Sequence, residues 1–443
     1  MKLALILPML SSLLLTSQLP PKYSAHPSAT RVATAPQPSS PQAQEKDANT
    51  SANAESSEGA MAGVNLRRTG VYQTKGLSKV TGLAWKSDQI FAAQYLSRQS
   101  SYYKTETMVG WTDYYMPTFF DFSDPVLAGT TLYFKAFLGH GYLFAVDAST
   151  GRVLWEFKAE KDWLSLPAVA GGTVYAGAGS GIFYAIDART GKEKWRFKGK
   201  DRGYSGSSPL VSGGLVFFGG ANGQFHALEA ATGRESWSFK VKGTLTSAAL
   251  ADGSLFVGSN EGYLYALNSK TGVEQWSFKF SGDPMPPVCG DGAVYFRTTK
   301  GELYAVDAKT GQQLWTSQIG VKGAGMSIIS ANSSGRLSAL YEGAIYFCGA
   351  GKLRAFDAKT GQSKWEFATD APCRSPVVAD GIVYVGGLGK LYAVDARTGQ
   401  QKTFLEGTEK VKDKTVSYVL SSPAVSNGLL YVVSDDGHIY AVK

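Results

Sequence analysis

Gly301-Glu302-Leu303-Tyr304-Ala305-Val306-Asp307-Ala308-Lys309-Thr310-Gly311, followed four residues later by Trp315, is the stretch that decides the fold. Its first half alternates side chains between two faces, as a half-buried β-strand does. The second half is turn chemistry, because Asp307 can accept hydrogen bonds from nearby backbone N–H groups and Gly311 can adopt the positive φ that closes a turn. The stretch therefore predicts a strand, a tight turn and a returning strand that carries Trp315.

The same stretch recurs along most of the chain. Copies with a tryptophan at the same place cover residues 141–151, 181–191, 223–233, 262–272 and 351–361. A copy at 389–399 has Thr403 where tryptophan is expected, and another copy begins at Gly437. Successive turn threonines (Thr271 and its equivalents) are 40, 42, 39, 39, 50 and 38 residues apart. A period near forty residues indicates one supersecondary unit repeated many times.

Each unit also contains an upstream hairpin, which is clearest where Asp380-Gly381 joins two apolar runs. Such dipeptides favour type I′ turns, which need positive φ at both central positions. Four short antiparallel strands per unit predict an all-β fold, an eight-bladed β-propeller of four-stranded antiparallel blades. The last unit has no outer strand of its own after Val442. Residues 81–86, which contain Trp85, are predicted to supply it, so that an N-terminal strand closes the last blade.

The repeated tryptophans are predicted to pack between adjacent blades, in preference to a redox or ligand role. They are Trp85, Trp155, Trp195, Trp237, Trp276, Trp315 and Trp365.

The motif Ala-x-Asp-x-x-Thr-Gly-x-x-x-Trp resembles the repeat of the PQQ-like (quinoprotein dehydrogenase-like) propeller family, and the chain is most similar to its cofactor-free BamB-like members. The resemblance covers roughly residues 65–443. Quinoprotein dehydrogenases typically show adjacent cysteines in the cofactor pocket, a calcium site and a carboxylate base, and none of these maps onto this sequence. We therefore predict no catalytic, cofactor-binding or metal-binding residue and no cofactor. The recurring carboxylates are interpreted as turn residues: Asp147, Asp187, Asp307, Asp357 and Asp395.

Three regions are predicted. Residues 1–20 have the apolar run of a signal sequence, which is too short for a confident transmembrane helix. Residues 21–63 are rich in Ala, Ser and Pro and are predicted to be a disordered tether. Residues 64–443 form a single propeller. BamB-like proteins are lipoproteins, but no cysteine lies near the signal sequence, so we expect no such lipid anchor.

The remaining polar chemistry is sparse. Three cysteines allow at most one disulfide, for which Cys348 and Cys373 are the candidate pair, although three small buried residues is the favoured alternative. The four histidines have no metal-ligand spacing, and His226 occupies a repeat position held elsewhere by tyrosine. Serines before the inner strands either line a channel mouth or, the favoured interpretation, are simply small residues near the axis.

The largest departure from the repeat is the aromatic-rich stretch 91–122, predicted to be an extended hairpin inserted before the first blade. Because repeat positions are fixed by packing, binding specificity is expected from such departures, and tyrosine and tryptophan dominate interface hot spots. The alternative is that these rings cap the first and last blades. The candidate partner-binding residues are Tyr102, Tyr103, Trp111, Tyr114 and Tyr115.

The sequence thus favours an exported, non-catalytic propeller that binds a protein or envelope component, periplasmic or secreted, without a transmembrane span in the mature chain, and monomeric. The net charge of +8 fits a solvated basic surface or an anionic envelope partner, and the export signal argues against nucleic acid. One alternative is a quinone (PQQ)-dependent oxidoreductase, which rests on the repeat resemblance. Another is an extracellular sensor or carbohydrate-binding module, which the aromatic insert allows.

Overall fold

The computed structural model describes most of the chain from residue 121 onward and parts of the segment before it. The described residues are 60–61, 65, 70–79, 81–88, 90, 103–107, 110–114, 121–160, 162–199, 203, 207–319, 337–369, 373–406, 408–411, 414–417, 420–434 and 436–443. Candidate residues Tyr102 and Tyr115 lie outside this set. No helix in the described residues is both long enough and apolar enough to span a bilayer.

Within these ranges the strands form eight antiparallel blades, each built outward from a short inner strand, and the predicted fold is confirmed. The strands of the first four blades, inner to outer, are Val126–Ala128, Thr131–Phe137, Gly141–Asp147 and Val153–Lys158; Ala168–Ala170, Thr173–Gly177, Ile182–Asp187 and Glu193–Lys198; Leu210–Ser212, Leu215–Gly219, Gln224–Glu229 and Glu235–Lys240; Ala249–Ala251, Ser254–Ser259, Tyr263–Asn268 and Glu274–Lys279. In blade 1, Asp121–Phe122 pairs with the second strand as well.

Blades 5 to 8 repeat the pattern. Their strands, in the same order, are Val288–Gly290, Ala293–Arg297, Glu302–Asp307 and Gln313–Gln318; Ala339–Tyr341, Ala344–Gly349, Lys352–Asp357 and Ser363–Ala368; Val377–Ala379, Ile382–Gly386, Lys390–Asp395 and Gln401–Glu406; Ala424–Ser426, Leu429–Val433, Ile439–Val442 and Leu83–Lys86.

The two ends of the propeller segment meet in blade 8, as predicted. Leu83–Lys86 is its outer strand and pairs antiparallel with Ile439–Val442, with Trp85 opposite Ala441. The backbone N–H of Thr81 donates to the carbonyl of Lys443 over 2.7 Å. The inner strands of blades 8 and 1 are also in contact, so the ring is closed at its centre as well as at its edge.

The ring has two distinct faces. The hairpin turns and the Asp-x-x-Thr-Gly turns share one, which we name the turn face: in blade 2, Ala188 N–H donates to Gly172 O over 3.0 Å. Because the strands alternate in direction, the loops between second and third strands and the connections from blade to blade lie at the other, the connection face. Bridges such as Leu164 to Ala178 and Leu420 to Ser434 join these loops and connections.

The departures from the repeat lie in blade-to-blade connections. The predicted hairpin is present as Tyr103–Thr107 paired with Gly110–Tyr114, between blades 8 and 1. A second hairpin, Thr408–Val411 with Lys414–Ser417, lies between blades 7 and 8. The long 319–337 connection joins blades 5 and 6. Each of these connections begins and ends at the connection face.

Two short N-terminal strands add to inner edges of the sheets. Ala60–Met61 pairs antiparallel with the inner strand of blade 2, and Val71–Tyr72 pairs in parallel with that of blade 7. Ala60 and Met61 belong to the segment that the sequence assigns to the tether. Ala60–Met61 and Val71–Tyr72 therefore lie at inner edges of blades 2 and 7, before the chain reaches the outer edge of blade 8.

Candidate functional site

The repeated tryptophans contact the next blade at seven junctions of the described chain. In each case the indole N–H donates to a backbone carbonyl in the Thr-Gly turn of the following blade, which begins with Asp except in blade 3 (Glu229) and blade 4 (Asn268). The seven bonds found among the described residues, of 2.9–3.1 Å, are Trp85 to Ala148, Trp155 to Ala188, Trp195 to Ala230, Trp237 to Ser269, Trp276 to Ala308, Trp315 to Ala358 and Trp365 to Ala396. These bonds fix the position of each turn relative to the preceding blade, which is a structural role and not a catalytic one.

The turns need glycine because the same tryptophans pack directly against them. Gly191 has φ 72°, and a Cβ on it would lie 2.8 Å from the indole ring of Trp155 in the preceding blade. The tightest case is Gly272, whose Cβ would lie 2.4 Å from Trp237. At the junction of blades 7 and 8, Thr403 replaces the tryptophan, and Gly82, near the closing strand, has nothing within 4 Å. The junction that joins the two ends is thus built without the tryptophan–glycine pair.

The recurring carboxylates hold the turns. Asp307 Oδ1 accepts from the backbone N–H of Thr310 over 2.7 Å and from its hydroxyl over 2.8 Å. The pKa of Asp307 is lowered, first by the Thr310 hydroxyl, and the pKa values of the other four predicted carboxylates are lowered as well, with hydrogen bonds as the main cause. Stabilising an ionised carboxylate in a turn is a structural task, and it leaves these groups unsuited to proton transfer near neutral pH.

The serines before the inner strands connect blades near the axis. Ser208 N–H donates to the Ser247 hydroxyl over 2.8 Å, and the Ser422 hydroxyl donates to the Ser375 carbonyl. All four serines are buried. They tie neighbouring inner strands together, which agrees with the favoured structural interpretation.

One position in the second strand is glycine in some blades and a buried cation in others. The last residues of the second strands of blades 2 and 3 are Gly177 and Gly219, whereas blade 1 has Lys135 and blade 5 has Arg297 at the equivalent position, and both cations are at most 5% exposed. Lys135 lies 5.9 Å from the Trp163 ring centroid. Arg297 donates to the carbonyl of Cys348 in blade 6 over 2.9 Å. Neither cation is among the residues predicted from the sequence, although alignment of the repeats shows a cation where glycine is usual.

Cys348 and Cys373 form a disulfide that ties blade 6 to blade 7, with their Cα atoms 5.8 Å apart. This corrects the favoured prediction of three unbridged cysteines. Cys373 lies beside Gly387 of blade 7 through an isolated bridge, and this places its side chain next to the end of a blade 6 strand. Cys289 remains a buried thiol.

His226 packs in blade 3, as predicted. Its ring lies against Phe197 and Phe218, and its Nδ1 is 2.7 Å from a carboxylate oxygen of Glu235. In the described residues no group of three or more His, Cys, Asp or Glu side chains is placed to hold a metal ion.

The candidate partner-binding residues are only partly placed. Tyr103, Trp111 and Tyr114 lie in the two strands of the inserted hairpin, with Tyr103 opposite Tyr114. Their side chains, like Tyr102 and Tyr115 as a whole, fall outside what is described. The backbone of the hairpin thus lies in the connection from blade 8 to blade 1. The exposure of its aromatic rings stays a prediction.

Comparison with known proteins agrees with this architecture. The family model described as outer membrane protein assembly factor BamB matches residues 119–250 and 240–443. The crystal structure of BamB from Moraxella catarrhalis is 20% identical, with a TM-score of 0.56 over 72% of this chain and 94% of that one. Quinohemoprotein alcohol dehydrogenase from Comamonas testosteroni is 17% identical, with a TM-score of 0.64 over 88% and 81%. No curated protein matches the sequence. At such identities the solved structures show a shared fold.

Proposed function

Since this chain belongs to the family of outer membrane protein assembly factor BamB, we propose that it is an exported, non-catalytic propeller that binds a protein or envelope component as a scaffold. The observation that carries the proposal is the placement of the departures from the repeat. Both described hairpins and the 319–337 connection belong to blade-to-blade connections, which share the connection face. Elsewhere, seven of the eight blade junctions are packed by a tryptophan–glycine pair.

Export is supported by two features. Residues 1–20 have the composition of a signal sequence, and the layout that we propose continues with a tether over residues 21–63 and the propeller from residue 64. The Cys348–Cys373 disulfide suits an oxidising compartment such as the periplasm or the exterior of the cell. We therefore place the mature protein in the cell envelope, periplasmic or secreted.

The proposed binding surface is the connection face around the 103–114 hairpin. Tyr102, Tyr103, Trp111, Tyr114 and Tyr115 are its proposed contacts, because aromatic side chains supply large contact area at low entropic cost. The hairpin joins blades 8 and 1, and the second hairpin joins blades 7 and 8, so the two neighbouring connections flank blade 8.

The experiment compares partner capture by matched variants. The purified protein is crosslinked in envelope extract, and the W111A/Y114A variant is set against a K309A/R397A variant, which changes two exposed residues of the turn face. We expect the hairpin variant to capture at least tenfold less of a component that the turn-face variant still captures. The melting temperature of the hairpin variant should be unchanged. Equal capture by both variants would refute the binding surface. Reconstitution of the complex from purified components then establishes the partner.

A second candidate, a quinone-dependent oxidoreductase, is favoured by the structural similarity to quinohemoprotein alcohol dehydrogenase over 88% of this chain. Adding quinone and calcium to the purified protein tests it. Alcohol-dependent dye reduction above background would favour this candidate, whereas an unchanged cofactor spectrum would favour the scaffold.

A further inference from the structure

The inner edge of blade 7 already carries an extended peptide segment. Val71 pairs with Val378 and Tyr72 with Ala379, in parallel. The N–H of Val378 donates to the carbonyl of Gly70 over 2.8 Å. Backbone bonds of this kind accept any extended chain, because they carry no sequence information, so specificity must come from the side chains.

Three successive positions of the segment are sterically selective. Gly70 has φ 66°, and a Cβ on it would lie 2.9 Å from the Cβ of Ala339 in blade 6. Val71 is 9% exposed and packs in the core between blades 6 and 7. Tyr72 packs against the cores of blades 7, 8 and 1, and burial, with Asp124 nearby, raises its pKa. The site therefore prefers glycine, then a β-branched residue, then an aromatic residue.

The segment continues across the turn face. Asn427 N–H donates to the Thr74 hydroxyl over 3.0 Å, and Gly428 N–H donates to Lys75 O over 3.2 Å. The hydroxyl of Tyr384 bonds both to the N–H and to the carbonyl of Leu77. A Cβ on Gly76 would lie 2.6 Å from the Ala379 carbonyl oxygen and 2.7 Å from the Tyr384 hydroxyl. Each contact lies in blade 7 or 8.

The strand that closes the ring does not pair with this segment. The strand that completes blade 8, Leu83–Lys86, has its own ladder to Ile439–Val442. The blade 7 ladder is only two residues long, so its release exposes a preformed edge without opening a blade.

We propose that the inner edge of blade 7, with the adjoining turn face of blades 7 and 8, is a binding site for an extended peptide, and that residues 70–77 are its internal occupant. A partner segment with the pattern glycine, β-branched residue, aromatic residue binds by displacing them. The site is separate from the hairpin on the connection face, so either proposal can fail without the other.

The test uses a fluorescent synthetic peptide of residues 66–79 and full-length protein. Gly76→Val and, separately, Gly70→Val alter the internal occupant and leave the blade 7 and blade 8 residues of the site unchanged. Lys79→Ala, at an exposed residue just after the occupant, is the matched control. We expect the peptide to bind both glycine variants at least tenfold more tightly than it binds the control or the unaltered protein. A peptide with valine in place of Gly70 should not bind.

Hydrogen exchange at the amides of Val378, Asn427 and Gly428 shows whether the internal segment is released. Unchanged protection in both glycine variants would overturn the proposal, and so would release without peptide binding. If both variants unfold, the same measurement is made on the unaltered protein with excess peptide. Displacement should accelerate hydrogen exchange at the amides of residues 70–77, and the absence of any acceleration would refute it.

Discussion

The indole nitrogen of Trp155 in blade 1 donates a 2.9 Å hydrogen bond to the carbonyl oxygen of Ala188 in blade 2. The same relationship recurs at six further junctions of the described chain, and each indole also lies against the turn glycine of the next blade. Except at the junction of blades 7 and 8, where Thr403 replaces the tryptophan, each blade therefore supplies a tryptophan to its successor. The motif that looks local in the sequence is completed by two different blades.

Gly272→Ala should destabilise the protein more than Gly253→Ala. Both glycines have positive φ, 69° and 75°, so both variants share the backbone cost of roughly 1 kcal/mol. An added Cβ meets Trp237 at 2.4 Å in the first case and nothing within 4 Å in the second. We expect an extra loss of about 1–3 kcal/mol for Gly272→Ala, measured by chemical unfolding. Equal losses would show that the tryptophan packing adjusts freely.

Trp85→Ala should weaken the closure of the ring. The variant loses the bond to Ala148 and the packing against Gly151, and we expect a cost of about 3 kcal/mol. Leu83→Ala, in the same strand with a side chain that is 45% exposed, is the control and should cost well under that value. Similar melting temperatures for the two variants would contradict the role of Trp85 in closure.

Asp395 makes stability depend on pH in the acid range. The N–H of Thr398 lowers its pKa from 3.8 to about 2, with Lys402 contributing. Because the folded pKa lies below the unfolded one, the stabilisation is complete above the unfolded value and is lost as pH falls towards the folded one. Asp395→Asn should therefore flatten the dependence of the unfolding free energy on pH between about 4 and 2.

Blade 4 offers the reciprocal variant. Asn268 occupies the same turn position and accepts from the Thr271 N–H over 3.0 Å. Asn268→Asp should steepen the same pH dependence. If neither substitution changes the slope, the turn carboxylates do not contribute to acid stability.

Reduction of the Cys348–Cys373 disulfide should lower the stability of the protein. The bond closes a segment with a sequence separation of 25, for which chain entropy gives roughly 3 kcal/mol. We expect a reductant to lower the unfolding midpoint of the unaltered protein and to leave that of a C348A/C373A variant unchanged. An unaltered protein that is insensitive to reductant would contradict the contribution of the disulfide.

Much of the fold follows from patterns within a single unit. Alternation in Leu303 to Val306, the turn from Asp307 to Gly311 and the forty-residue period all act over a few residues or recur regularly, so they can be recognised without coordinates. The closing strand was predictable for the same reason, because Trp85 repeats a feature of the other outer strands and blade 8 needed one.

The binding proposals rest on information of a different kind. The aromatic insert could be found as a departure from the period, but its place at the connection face follows from strand directions. Val71 and Tyr72 have no counterpart in the repeat. Their two-residue ladder to blade 7 joins positions about 300 residues apart in the chain, so no local sequence pattern predicts it.

The sequence by itself determined the strand pattern, the turn chemistry and the number of blades, because hydrophobic alternation and positive-φ glycines specify structure over short distances. Only the tertiary structure decided which residues meet around the ring: that Gly191 faces Trp155 rather than Trp195, that Cys348 reaches Cys373, and that an N-terminal segment occupies the channel. These contacts depend on how neighbouring blades pack against one another, and that geometry exists only when the ring is closed.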